Sequence, residues 1–183
     1  FMAPDRLRVT SFEDYAAKLK RAFVMLDAEE RAETIRADAA SLAFAAGLEV
    51  VEDPGLLAEV AGLVEWPVAL TGTFDERFLE VPAECLISSM KANQKYFHLL
   101  DDQGKLKPLF ITISNIESQD PDQVISGNEK VIRPRLADAA FFYDTDRKHT
   151  LASRIPQLES VVFQQQLGTL ADKARRSTAI ATF

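Results

Sequence analysis

The sequence is poor in the residues from which covalent and metal-based sites are built. Its 183 residues include one cysteine, Cys85, and two histidines, His98 and His149, which lie far apart along the chain. One cysteine cannot close an intrachain disulfide, and these three residues cannot supply the four ligands of a structural zinc site. We expect Cys85 to be a small buried residue on an apolar helix face, the histidines to have packing or surface roles, and no metal to be bound.

The short motifs of common catalytic and nucleotide sites are also missing. The sequence has no phosphate loop G-x-x-x-x-G-K-[ST], no dinucleotide motif G-x-G-x-x-G, no G-x-S-x-G elbow and no H-E-x-x-H helix. Asp144 and Asp146 could hold Mg²⁺, but the adjacent Arg147 and Lys148 favour local ion pairs instead. We therefore predict no catalytic residue in this chain.

Long apolar runs are absent as well. No stretch approaches the roughly 20 residues that a helix needs to cross a bilayer, so we expect no membrane partner. The single cysteine favours a reducing, cytoplasmic setting. The chain opens with Phe1-Met2, shows no signal peptide and stops within a helical pattern, so we expect it to be an excerpt of a longer protein.

Positive charge is scarce in the first half of the chain but not in the second. The net charge is −7; residues 1–84 contain 8 Lys and Arg against 17 Asp and Glu, whereas residues 85–183 contain 13 against 11. Because phosphate contacts dominate nucleic-acid affinity, the acidic total argues against a free-standing nucleic-acid binder. A local basic patch in the second half is compatible with these numbers.

The first 65 residues predict an acidic helical segment. A Ser-x-x-Asp capping signature starts a helix at Ser11, an Ala/Glu/Arg-rich stretch predicts a second helix over 28–46, and Asp53-Pro54 starts a third. Gly47 stands where a left-handed cap would end the second helix.

After Trp66 the pattern changes to that of a mixed domain. We predict a strand over 68–74, a helix over 83–94 with Lys91 and Lys95 one turn apart, a hairpin of strands 96–100 and 106–114, and helices over 121–142 and 159–182. The predicted fold class is α+β. An N-terminal helical segment, residues 1–65, packs on a domain of residues 66–183 with a small, mainly antiparallel sheet and flanking helices.

The densest run of basic and aromatic side chains lies at residues 127–148. Arginine offers phosphate a planar fork of donors, and aromatic rings can stack on unpaired bases, so this stretch suits a polyanion. A structural alternative stays open, in which these side chains serve the fold itself: Phe141 and Phe142 in the core, Arg133 paired with Glu129, and Arg135 paired with Asp138.

Short segments follow one another in a characteristic order through the chain: VEWPV (64–68), FLEVP (78–82), LISSMK (86–91), QKYF (94–97), SNIE (114–117), VISGNEKV (124–131), RPRLAD (133–138), FF (141–142), TDR (145–147) and FQQQLGTL (163–170). Together they resemble the β subunit family of the bacterial two-subunit glycine–tRNA ligase, or glycyl-tRNA synthetase. The resemblance covers the whole chain but only a middle portion of that much longer subunit.

The resemblance implies an enzyme of two α and two β subunits that joins glycine to its tRNA using ATP. In that family the α subunit holds the aminoacylation site, where ATP and Mg²⁺ are expected, and the β subunit contributes mainly to tRNA binding and assembly. We then expect this chain to be inactive alone, without catalytic centre or cofactor, and to have the α subunit, a second β subunit and tRNA(Gly) as partners. The cations of the second half give the expected tRNA-facing set: Lys91, Lys95, Lys130, Arg133, Arg135, Arg147 and Lys148.

Two other functions stay open. The chain could be a scaffold whose helices 121–142 and 159–182 pack against the sheet and the α subunit, which Phe163, Leu167 and Leu170 favour. It could also hold a vestigial editing pocket, as the β subunit of another synthetase class does, although no acid–base pair of suitable spacing is present. An exposed apolar patch would favour the scaffold, and a basic concavity would favour RNA.

Overall fold

The computed structural model describes residue 2 and residues 6–183. The chain divides into two compact units, residues 1–139 and residues 140–183. The first unit contains α1 (Phe12–Arg21), α2 (Ala28–Ala45), β1 (Glu49–Val50), α3 (Pro54–Leu63), β2 (Pro67–Thr73), a 3₁₀ helix (Glu76–Glu80), α4 (Ala83–Ser89), a π turn (Met90–Gln94), β3 (Phe97–Leu100), β4 (Leu106–Asn115) and most of α5 (Pro121–Arg147). The second contains the end of α5, α6 (Leu151–Arg154), a 3₁₀ helix (Ile155–Glu159), β5 (Val162–Gln164), β6 (Gly168–Thr169) and α7 (Leu170–Ala181). Within the described residues, no helix combines the length and the apolar character that a membrane crossing requires.

Helices α1, α2 and α3 begin where the sequence places their caps. The side chains of Ser11, Asp27 and Asp53 each accept a hydrogen bond from a backbone N–H in the first turn of the helix that follows. Pro54 lies in the first turn of α3, where a missing N–H has no helical partner to lose. Gly47 follows α2 with a φ of +70°, as a left-handed cap requires. Beyond this cap the chain enters β1, a short strand inside the segment that was predicted to be helical.

Strands β1 to β4 form an antiparallel sheet in the order β1-β3-β4-β2. The predicted hairpin of β3 and β4 is confirmed. β2 pairs with β4 over its whole length, from Pro67 opposite Asn115 to Thr73 opposite Leu109. Helices beside a mainly antiparallel sheet confirm the predicted α+β class.

Helices α2 and α3 cover one face of this sheet. α2 presents Ile35 and Ala39 at a spacing of four residues, and α3 adds Val60. Phe97 of β3 and Ile111 of β4 complete the same buried cluster. Burial of apolar surface at about 25 cal/mol per Å² makes such a cluster the main source of stability for the first unit.

Phe110 lies across the other face, because successive strand residues point to opposite sides. Its ring covers Gly72, where a Cβ would come within 2.4 Å of Phe110 Cζ. Tyr96 stacks on the Phe110 ring, with centroids 4.4 Å apart and an interplanar angle of 14°. The Tyr96 hydroxyl donates to Asn128 Oδ1 at 2.6 Å, which joins this face of the sheet to α5.

The segment between β2 and β3 corrects two predictions. The helix predicted over 83–94 is present as α4, but it widens into the π turn at Met90, and Lys95 then takes a φ of +60°. Lys91 and Lys95 therefore do not stand one regular helical turn apart. Cys85 of α4 is exposed, so the expectation of a buried cysteine is wrong.

In the second unit, the helix predicted over 159–182 is wrong in its first half. β5 and β6 form a small antiparallel hairpin there, and α7 begins only at Leu170. Gly168 has a φ of +82°, which the interior of a right-handed helix cannot contain. Thr169 and Asp172 then form a capping box that starts α7. The helix predicted over 121–142 is confirmed as α5 and continues to Arg147.

Candidate nucleic-acid interface

Helix α5 is held to the first unit by one side of its surface. Ile132 and Leu136 have no exposed surface. Asn128, one turn before Ile132, accepts the hydrogen bond from Tyr96. Residues four apart lie on one stripe of a helix, so this buried stripe fixes which side of α5 faces outward.

Glu129 attaches the same helix to the end of β2. Its Oε1 accepts hydrogen bonds from the backbone N–H and the hydroxyl of Thr73, both at 2.8 Å. Over residue 2 and residues 6–183, no ion pair joins Arg133 to Glu129 or Arg135 to Asp138. The internal pairing that the sequence left open is therefore not formed.

Three cations of α5 are exposed and lie off this stripe: Lys130, Arg133 and Arg135. We call these three residues the α5 cationic surface. At 3.6 residues per turn, Lys130 and Arg133 are separated by about 60° around the helix axis, and Arg133 and Arg135 by about 160°. The two arginines thus flank the buried stripe on opposite sides, so the positive charge is spread over a wide arc.

Lys91 and Lys95 are each paired with a carboxylate. Lys91 forms an ion pair with Asp53, and Lys95 Nζ lies 2.8 Å from Glu59 Oε1. The hydrogen bond from Lys91 is the main reason why the pKa of Asp53 is lowered, and the backbone N–H of Leu56 adds to it. These pairs tie the π turn to α3, a structural role that the sequence pattern did not predict.

Arg147 and Lys148 belong to the second unit. Arg147 Cζ lies 5.5 Å from the centroid of the Tyr143 ring, and Lys148 is exposed. Phe141 and Phe142 are 62% and 63% exposed and meet edge to face, with centroids 5.6 Å apart. The alternative that places these two rings in the core is therefore contradicted. The second unit thus carries exposed rings and exposed cations, the two residue types that suit a polyanion.

Arg77 is a basic residue near α5 that the sequence did not single out. It lies in the 3₁₀ helix after β2 and lines, with Arg133 and Glu129, a polar cavity of about 460 Å³. The bond between Thr73 and Glu129 brings the two segments together. No local motif marks Arg77, because Asp75 and Glu76 precede it and the 127–148 stretch is far away in sequence.

The perturbed pKa values of the first unit's buried groups have burial as their main cause. Burial lowers the pKa of His98, an effect that the nearby Asp53 opposes and Lys91 reinforces. Burial also raises the pKa of Tyr96 to about 12. Such shifts are typical of packed residues.

In the described part of the chain, no group of three His, Cys, Asp or Glu residues is placed to hold a metal ion.

Comparison with known proteins assigns the chain to a family. The family profile described as "Glycyl-tRNA synthetase beta subunit" matches residues 1–183. The glycine–tRNA ligase beta subunit of Chromohalobacter salexigens is 68% identical over 183 residues, which is 100% of this chain and 27% of the relative. Those of Shewanella baltica and Hahella chejuensis are each 54% identical, over 100% and 99% of this chain and 27% and 26% of the relatives. The chain thus spans little more than a quarter of the length of these relatives. It belongs to the glycyl-tRNA synthetase beta subunit family.

Proposed function

We propose that this chain contributes to tRNA binding as a segment of the β subunit of a glycine–tRNA ligase. Its relatives are named as β subunits of that ligase, which implies a tRNA substrate and a further subunit. In this proposal the α subunit and a second β subunit are its partners, and the α subunit carries ATP, Mg²⁺ and the attachment of glycine. The observation that carries the proposal is the α5 cationic surface, whose helix is anchored by Ile132, Leu136 and Glu129.

An acidic chain can serve in this way because affinity for RNA depends on local contacts with phosphate. A helix held on one side presents its exposed cations without the entropy cost of ordering a loop. Arg133 and Arg135 add the planar donor fork that fits phosphate oxygens. Lys91 and Lys95 rank lower in the proposed set, because binding RNA would require each to leave a carboxylate.

The test is tRNA(Gly) binding by the complete ligase as a function of salt concentration. A variant with Lys130, Arg133 and Arg135 all replaced by alanine is compared with wild type. We expect weaker binding and a smaller slope of log K against log salt, by roughly one for each phosphate that the variant no longer neutralises. The matched control is Lys105→Ala with Lys107→Ala, two cations beside the turn of the β3–β4 hairpin, for which we expect wild-type binding. An unchanged affinity and slope in the triple variant would contradict the proposal.

A second candidate, a scaffold role, is favoured by the apolar surface of the second unit. Ile155, Val162, Leu167 and Ile180 are all exposed, and Ala171 is the single buried hydrophobic residue among the described residues of this unit. Because about three quarters of the relatives' length lies outside this chain, we propose that another part of the same β subunit covers this surface. Large contiguous patches of exposed apolar side chains are typical of interfaces.

Charged substitutions in the complete β subunit test the scaffold role. Val162→Asp and Ile180→Asp should increase hydrogen exchange in residues 140–183 while the α subunit still co-purifies. Ser177→Asp, on an exposed position of α7, is the control that should change neither readout. Loss of the α subunit without increased exchange would mean that the α subunit covers this surface instead.

A further inference from the structure

The polar cavity beside α5 joins three parts of the first unit. It lies between the end of β2, the 3₁₀ helix Glu76–Glu80 and the turn of α5 that carries Glu129 and Arg133. Two guanidinium groups, those of Arg77 and Arg133, line this one space together with two carboxylates, those of Asp75 and Glu129. The two positive and two negative formal charges therefore cancel. What the cavity can bind depends on which of these four side chains already use their hydrogen-bonding atoms within the fold.

Both carboxylates are used by the fold. Glu129 accepts two hydrogen bonds from Thr73. Asp75 Oδ1 accepts the backbone N–H of Arg77 at 3.0 Å, and Asp75 Oδ2 lies 3.4 Å from Arg77 Nε. These contacts hold the acids at the wall of the cavity and occupy Glu129 Oε1 and both Asp75 oxygens.

The two arginines keep donors to spare. Arg77 meets Asp75 through Nε, and in the described part of the chain its two terminal nitrogens form no hydrogen bond and Arg133 forms no ion pair. Arg77 Cζ lies 4.9 Å from the centroid of the buried Phe78 ring, which restrains the guanidinium by a cation–π contact. Two guanidinium groups with unused N–H donors around a polar space suit the oxygens of a tetrahedral oxyanion.

We propose that the cavity binds one phosphodiester group of RNA. Arg77 and Arg133 are the two side chains that bind it, and Glu129 and Asp75 are positioning residues. This inference rests on the proposed function and goes further in naming one contact, its ligand class and a residue outside the α5 cationic surface. Arg135 lies on the other side of the buried stripe and belongs to a separate contact.

A double-mutant cycle in the complete ligase tests the shared phosphate. We expect Arg77→Ala and Arg133→Ala each to weaken tRNA(Gly) binding about tenfold, as loss of a charge-assisted hydrogen bond does. Because both side chains bind the same group, the double variant should lose clearly less than the product of the single losses, and its salt slope should fall by roughly one. When Arg77→Ala is combined with Arg135→Ala, the two fold losses of tRNA affinity should instead multiply, because these side chains belong to separate contacts. Arg77→Lys should rescue only part of the affinity, since lysine keeps the charge without the fork.

The outcomes separate failure of this site from failure of the proposed function. Wild-type binding by Arg77→Ala, with weak binding by the Lys130, Arg133 and Arg135 triple variant, would overturn the cavity and leave tRNA binding in place. Wild-type binding by Arg77→Ala and by the triple variant would overturn both the cavity site and the proposed tRNA binding. Losses for Arg77 and Arg133 that multiply fully would also overturn a shared phosphate. Thermal unfolding of each variant, expected to match wild type, shows that a weaker affinity comes from the site and not from a less stable fold.

A free phosphate compound is the other source of the same chemistry. Titration of the tRNA-free ligase with inorganic phosphate distinguishes the two sources. Saturable binding that disappears in Arg77→Ala, together with unchanged tRNA affinity, would overturn the RNA assignment. Loss of tRNA affinity with no phosphate binding in the low-millimolar range supports it.

Discussion

Replacement of Gly72 by alanine is expected to destabilise the first unit through a clash between β2 and the buried Phe110 ring on one face of the sheet. The new Cβ would lie 2.4 Å from Phe110 Cζ and 2.9 Å from both Cε atoms, whereas ordinary contact begins near 3.4 Å. The ring would have to move by about 1 Å, the difference between those contact distances. Phe110 is fully buried and stacked on Tyr96, so it has little room to move.

The size of the effect follows from this overpacking. Added atoms in a packed core cost about 1–3 kcal/mol, and the rigid ring places Gly72→Ala at the upper end of that range. For a unit of this size we expect the Tm to fall by about 6–12 °C. Urea denaturation followed by fluorescence of Trp66, the single tryptophan, reports on the first unit directly.

Two further variants control this experiment. Gly62→Ala places a Cβ in open space near the end of α3 and should stabilise the unit by about 0.5–1 kcal/mol, because glycine is unfavourable in a helix. Phe110→Leu in the Gly72→Ala background removes the ring edge and should restore part of the stability. Equal unfolding free energies for wild type and Gly72→Ala would refute the reasoning.

The remaining predictions concern two polar contacts. Tyr96→Phe removes the donor to Asn128 and should lower the unfolding free energy by about 1 kcal/mol in urea titrations. Because burial raises the pKa of Tyr96 from 10.0 to about 12, its contribution is complete below pH 10 and is lost as the pH rises from 10 to 12. An alkaline stability profile identical in Tyr96→Phe would contradict this. Asp53→Asn keeps a cap on α3 but loses the Lys91 ion pair and should cost less than about 1 kcal/mol, whereas Asp53→Ala loses both and should cost about 1–2 kcal/mol. Since the pKa of Asp53 is lowered, its contribution is present above pH 3.8 and is lost as the pH falls below it, so Asp53→Asn should flatten the acid side of the stability profile.

Local patterns were sufficient for the parts of the fold that local chemistry determines. Ser11 and Asp53 cap their helices because short side chains can reach the first free N–H groups. The hairpin of β3 and β4 follows from alternating apolar residues on either side of a polar turn. The helix predicted over 121–142 is present as α5, with Ile132 and Leu136 buried four residues apart.

Long-range contacts account for what the sequence pattern missed. Lys91 forms its ion pair with Asp53, which lies 38 positions earlier in the sequence. No periodicity within the helix could indicate that pair. Arg77 and Arg133 line one cavity because the Thr73–Glu129 bond, with the buried stripe of α5, holds this helix beside the end of β2. Gly168 is the one sequence signal against a single long C-terminal helix, because glycine readily takes the positive φ that ends a helix. The structure gives it that φ.

The bond from Glu129 to Thr73 also bears on how the outer edge of β2 resists pairing with another chain. Because Phe74 N–H bonds to Pro108 O on the β4 side, the alternating N–H groups at positions 69, 71 and 73 point away from β4. Glu129 occupies the last of these, and Pro67, in the same row, has no N–H to offer. A strand added from outside would find two donors, at Ala69 and Thr71, with both ends of the row closed. Helix α5 thereby shortens the template for aggregation that every edge strand presents.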